Sequence, residues 1–138
     1  MVSGLVLDAS VALGWLIDDP PSAYAMRVQR LILDGARPVV PVHWHLEIAN
    51  ALLSAGRRGI LRRPAGEIVN DMSALMFFIE SDGFPDDIKS LVELGQRQQL
   101  TAYDAAYVAL AARRNLPLAT QDAAMTAAAR RLKLPLLR

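Results

Sequence analysis

Four acidic side chains stand where apolar runs give way: Asp8 after "GLVL", Glu47 in "HLEIANALL", Asp104 in "TAYDAAYVALAA", and Asp122 after "LPLATQ". If they share one crevice, they cannot all stay ionised unaided, because two unit charges about 4 Å apart repel by about 4 kcal/mol at an effective dielectric near 20. Either some are protonated or a cation neutralises them. The chain has no cysteine and two histidines, and no lysine or arginine adjoins any of the four acids in sequence. An all-oxygen site of this kind suits magnesium or manganese rather than zinc.

Each acid also has a purely structural reading. Asp8 and Asp122 suit helix N-caps. "TAYD" from Thr101 to Asp104 fits a capping box. Glu47 lies at the border of an apolar stripe, where a solvated edge residue is ordinary. Asp104, however, shares its helical face with Tyr107, Val108 and Ala111, which turns it toward the interior.

The elements that must position these acids follow from the apolar pattern. Gly4 to Asp8 reads as a short buried strand, with Ser10 as the N-cap of a helix through "VALGWLI" that "DDPP" ends. Ser22 to Asp34 is a second helix, stopped by Gly35, and "PVVP" a second strand. His43 to Ala55 is a third helix, with Ile48, Ala49, Leu52 and Leu53 at core spacing. Pro64 opens a helix to Met76, "MFFI" is a candidate third strand, and Pro85 opens a helix to about Gln98. Thr101 caps the helix that carries Asp104 and ends near Asn115. "LPLAT" is a fourth strand, Asp122 caps a last helix to Leu132, and "LPLL" is a candidate final strand.

Short strands alternating with longer helices predict a three-layer α/β/α domain around a short parallel sheet, with residues 1–138 forming one domain. Ligands of such sheets bind beyond the carboxyl ends of the strands, where all four acids are expected to meet.

The absence of cysteine excludes thiol redox chemistry, thiolate zinc sites and disulfides. Fifteen basic against 14 acidic side chains give a net charge of +1, so any contact with nucleic acid must come from local clustering. A mean hydropathy of +0.23 points to surplus apolar surface. The N-terminus lacks a basic leader and the longest apolar run, "ALMFFI", is far too short to span a bilayer, so a cytoplasmic protein without a membrane segment is expected.

Taken together, Asp8-Ala9-Ser10 after an apolar strand, "EIANALLSAGRRGIL" from Glu47, "LTAYDAAY" from Leu100 and Thr120-Gln121-Asp122 form four motifs in order along the whole chain. In this the sequence resembles the PIN-domain ribonucleases, and within them the VapC-type toxins of bacterial toxin–antitoxin pairs. The resemblance implies a PIN-like fold and hydrolysis of RNA phosphodiester bonds with Mg2+ or Mn2+. It implies Asp8, Glu47, Asp104 and Asp122 as metal-binding catalytic acids, supported by the hydroxyls of Ser10 and Thr120. It further implies a homodimer and a small VapB-like antitoxin that covers the crevice. The rival reading is a non-catalytic PIN-like scaffold that binds RNA or protein. Such scaffolds usually lose an acid, whereas all four are present here.

The remaining candidates are fewer. "RRGILRR", with Arg57, Arg58, Arg62 and Arg63, is the best sequence candidate for RNA contact beside the crevice, although cations also suit helix ends. His43 and His45 sit two apart, where helical side chains diverge, and are read as structural or surface groups. Trp15, Trp44, Phe77 and Phe78 are read as core or interface. A haloacid-dehalogenase-type phosphatase needs an acid at the position of Ser10, and a phosphorelay receiver needs an acidic pair and a late lysine, neither of which is placed here.

Overall fold

The computed structural model describes residues 2–83 and 86–138. In chain order the elements are β1 (Gly4–Leu7), α1 (Ala9–Leu16), α2 (Ala23–Leu33), β2 (Arg37–Val40), α3 (Trp44–Arg57), α4 (Ala65–Met76), β3 (Glu80–Ser81), α5 (Ile88–Gln98), α6 (Ala102–Arg114), β4 (Leu118–Ala119) and α7 (Ala123–Arg131). The strands form one sheet in the order β3-β2-β1-β4. All pairings are parallel, and Val6 at the centre pairs with Val39 on one side and Leu118 on the other.

β1 is buried along its whole length, as an apolar strand inside a helix-flanked parallel sheet must be. Its side chains pack with Val11, Val28, Ile32, Trp44, Tyr107, Leu110 and Leu118 in one continuous core. The α/β architecture expected from the sequence is the one observed. Among the described residues no helix is long and apolar enough to cross a membrane.

Several local expectations are corrected. Ser10 is not the cap of α1; the helix starts at Ala9 with Asp8 in the N-cap position. "MFFI" is not a strand. Its first residue ends α4, Phe77 is 91% exposed, and the third strand is Glu80–Ser81. Short apolar runs do not distinguish a helix end from a strand. On α3 the buried stripe is Trp44, Ile48, Leu52 and Ala55, while Ala49 and Leu53 are exposed. "LPLL" contributes a single parallel bridge, Leu118 to Leu136, rather than a strand. α5 begins at Ile88 with Asp87 as its cap; Pro85, expected to open it, lies outside the described residues.

Two features fix the approach of α6 to the sheet. A Cβ on Gly95 would stand 2.9 Å from the Leu100 carbonyl, so the chain turns from α5 into α6 in a space only glycine leaves open. At the other end of α6, Arg113 and Arg114 bind Asp82, beyond the edge strand β3. A short, charged edge strand of this kind resists pairing with a foreign strand.

Candidate active site

Successive strands β1, β2 and β3 step to one side of the sheet, and the chain then returns to place β4 on the other side of β1. That reversal opens a crevice beyond the carboxyl ends of β1 and β4, the place where open parallel sheets bind ligands. Asp8 follows the last residue of β1, and Thr120 the last residue of β4. A cavity of about 640 Å³ lies there.

The cavity is lined by Asp8 from the end of β1, Glu47 from α3, Asp104 from α6 and Asp122 from the start of α7. All four sequence-predicted acids are therefore brought to one place, from four separate parts of the chain. Ser10 lines the cavity as well. Thr120 stands behind it, its hydroxyl donating to Asp8 Oδ2 at 2.7 Å while Ser10 Oγ donates to the same oxygen at 2.6 Å.

Capping and a place on the cavity wall coexist in these residues. Asp122 does cap α7, accepting from the Met125 N–H at 2.8 Å. The Thr101 hydroxyl accepts from the Asp104 N–H at 3.1 Å, so the threonine caps α6 and leaves the Asp104 carboxyl free to face the cavity. Asp8 occupies an N-cap position without making a side-chain cap bond. Its carboxylate is held by the two hydroxyls instead.

Burial pushes the Asp8 carboxyl above its ordinary value, outweighing the hydroxyl bonds that favour its charge. Asp104 is raised too, first by burial and then by the charges of Asp122, Asp8 and Glu47. This mutual repulsion is the electrostatic signature of acids sharing one crevice.

Tyr107 was read from the sequence only as an apolar-face residue and motif member, yet its side chain ties two acids together. Fully buried, it donates from its hydroxyl to Glu47 Oε1 at 2.7 Å and accepts from the Ala9 N–H at 3.3 Å, next to Asp8. Its position three residues after Asp104, on the same face, was the available signal. His43 Nε2 stands 3.3 Å from Glu47 Oε1, and its ring packs edge-on against Tyr107. Neither His43 nor His45 lines the cavity, and His45 is exposed.

Asn50 and Ser54 on α3, and Arg58 at its C-cap, follow Glu47 along the cavity-facing stripe. Asp18, read from the sequence as part of a helix stop, lines the cavity as a fifth acid. Of the four arginines singled out for RNA, only Arg58 reaches the cavity. Arg62 and Arg63 are paired with Asp19 and Asp71 at 2.8 and 2.5 Å.

The donors are carboxylates and hydroxyls with one guanidinium at the margin, a set that fits an oxygen-preferring divalent cation. Among the described residues no three acidic or imidazole groups are gathered tightly enough to enclose an ion by themselves.

Residues 5–131 match the PIN domain family. No curated protein matches the chain. Among solved structures, the chain is similar to that described as the crystal structure of PAE2754 from Pyrobaculum aerophilum, with a TM-score of 0.65 and 22% identity over 92% of this chain and 79% of that one. At that identity the likeness concerns the fold.

Proposed function

This chain belongs to the PIN-domain family, and from that premise we propose that it is an endoribonuclease that hydrolyses RNA phosphodiester bonds with Mg2+ or Mn2+. PIN domains are usually nucleases, which supports the broader reading; the metal, the RNA substrate and the individual roles are the proposal. One observation carries it: four carboxylates from four separate elements line one cavity at the point where strand order reverses.

An acidic cavity repels a phosphodiester, which is itself an anion. A bound divalent ion would reverse the sign of the site, lower the pKa of a coordinated water and offset charge on the leaving oxygen. Asp8, Glu47 and Asp104 would hold it, directly or through water, and Asp122 would complete the acidic wall. Ser10 and Thr120 fix the Asp8 carboxylate, and Tyr107 fixes Glu47. Arg58 at the margin is placed to meet an RNA phosphate.

Asp104→Asn removes one charge with little change of shape. RNA cleavage in Mg2+ or Mn2+ is expected to fall by at least about 100-fold, with circular dichroism unchanged. Undiminished cleavage by the variant would refute the assignment, and absence of both metal uptake and cleavage in the wild type would favour the non-catalytic scaffold.

We further propose the role of a VapC-type toxin, acting as a homodimer restrained by a VapB-like antitoxin. An apolar groove between α3 and α4, walled by Trp44, Ile48, Leu52, Val69, Met72 and Phe77, supports pairing with a second copy of the chain. The acidic cavity suits a basic antitoxin side chain.

A further inference from the structure

We propose that a second, basic cleft beside the acidic cavity holds the backbone phosphates of the same RNA strand. This rests on the nuclease reading above and extends it to a binding subsite on α2, α7 and the C-terminal segment. The cleft, about 400 Å³, is walled by Tyr24, Arg27, Thr126, Arg130 and Arg138. It adjoins the acidic cavity through Thr120, which lines the cleft while its hydroxyl donates to Asp8.

The distribution of arginine partners sets this cleft apart. Arg37, Arg62, Arg63, Arg97, Arg113 and Arg114 each pair with a carboxylate, and Arg131 binds Gln98. Among the described residues Arg27, Arg30, Arg57, Arg58, Arg130 and Arg138 are in no such pair; of these, Arg27, Arg130 and Arg138 meet in one cleft lined by no acidic side chain. Guanidiniums gathered where no acidic side chain lines the wall raise the concentration of anions at that point. A helix C-terminus accounts for Arg130, in the last turn of α7, but not for Arg27 in the middle of α2.

The cleft is also built in advance. Tyr24 donates from its hydroxyl to the Leu137 carbonyl at 2.9 Å, and the Arg27 guanidinium lies 5.6 Å over the Tyr24 ring. The tyrosine thus holds the C-terminal segment against α2 and fixes one guanidinium at the rim. Planar guanidinium forks suit phosphate oxygens. A strand drawn toward an acidic cavity needs cations beside it, and this cleft supplies them next to Asp8.

The test measures binding apart from cleavage. Anisotropy of a short fluorescent single-stranded RNA is followed against potassium chloride, with chelator, in the Asp104→Asn background. Arg27→Gln/Arg130→Gln is expected to weaken binding about 10-fold and to reduce the log–log salt slope by about 1.4, two contacts at ~0.7 each. Arg27→Lys/Arg130→Lys should keep most of the slope, as should Arg37→Gln/Arg97→Gln, which changes the same charge at paired arginines outside the cleft. Equal slopes for the Gln double variant and its parent, or no RNA binding by the parent, would overturn the subsite. So would displacement of RNA by inorganic phosphate far beyond that by chloride at equal ionic strength, which marks a site for the free ion. Cleavage by the wild type is scored separately, so an active enzyme with an unchanged slope refutes the cleft alone, and an inactive one refutes the nuclease reading.

Discussion

Replacing Tyr107 by Phe tests whether the hydroxyl beneath the acids holds them in place. The ring keeps its packing, and only one oxygen is removed from a side chain with no exposed surface. Two bonds are lost: a short one to Glu47 at 2.7 Å and a long one from the Ala9 N–H at 3.3 Å. A bond to a charged acceptor contributes about 1.5–3 kcal/mol, and a buried N–H left without an acceptor costs about 1–3 kcal/mol. Both belong at the low end here. The Glu47 side chain is 34% exposed and can turn to water, and the Ala9 bond is already long. The two low ends sum to a loss of about 2.5 kcal/mol, which for a chain of this length lowers Tm by roughly 5–10 °C. Thermal melting in chelator measures that loss without any metal contribution. Titration with Mn2+, followed by electron paramagnetic resonance, should show affinity lower by about 10-fold, the range for loss of a group that orients a ligand. Cleavage should fall with it. A variant that melts with the wild type and binds Mn2+ equally well would show that Glu47 is positioned by other means.

Two further outcomes follow from the same geometry. Asp8 and Asp104 both titrate above their ordinary values in the folded protein, so ionising them favours unfolding. Their stabilising share is complete below the unfolded carboxylate value and is lost as pH rises through the folded values. Without metal, Asp104→Asn should therefore melt above the wild type near neutral pH, with the gap closing as pH falls toward about 4; a gap independent of pH, or of opposite sign, would contradict shared repulsion. Phe77, almost wholly exposed beside the α3–α4 groove, should anchor the proposed dimer. Phe77→Glu is expected to shift the protein toward monomer in sedimentation velocity, and a wild type that sediments only as monomer would remove the dimer from the proposal.

Much of the site was legible because local rules place its parts. Asp8 and Asp122 had to follow the first and fourth strands because apolar runs end there, and Thr101 and Asp122 had to cap because their side chains reach back to N–H groups three residues on. Where the local signal was shared by two structures, the reading failed. "MFFI" is equally apolar as a helix end or a strand, and only the packing of α4 decided between them. Ser10 suits a cap, but Asp8 already begins the helix and engages the Ser10 hydroxyl.

By itself the sequence determined which side chains are acids, which ends of which elements they occupy, and that no thiol or local cation neutralises them. Those facts depend on residue type and spacing along a few turns, where hydrogen-bond reach and periodicity suffice. Tertiary structure alone decided that the acids share one cavity, that Tyr107 bridges Glu47 to the chain beside Asp8, and which arginines remain without a carboxylate partner. The acids come from positions 8, 47, 104 and 122, and Tyr107 reaches back 60 residues to Glu47 and 98 to Ala9; such contacts are set by the order of strands in the sheet. Chain neighbours carry no information about that order, because it is fixed by how whole faces bury against one another.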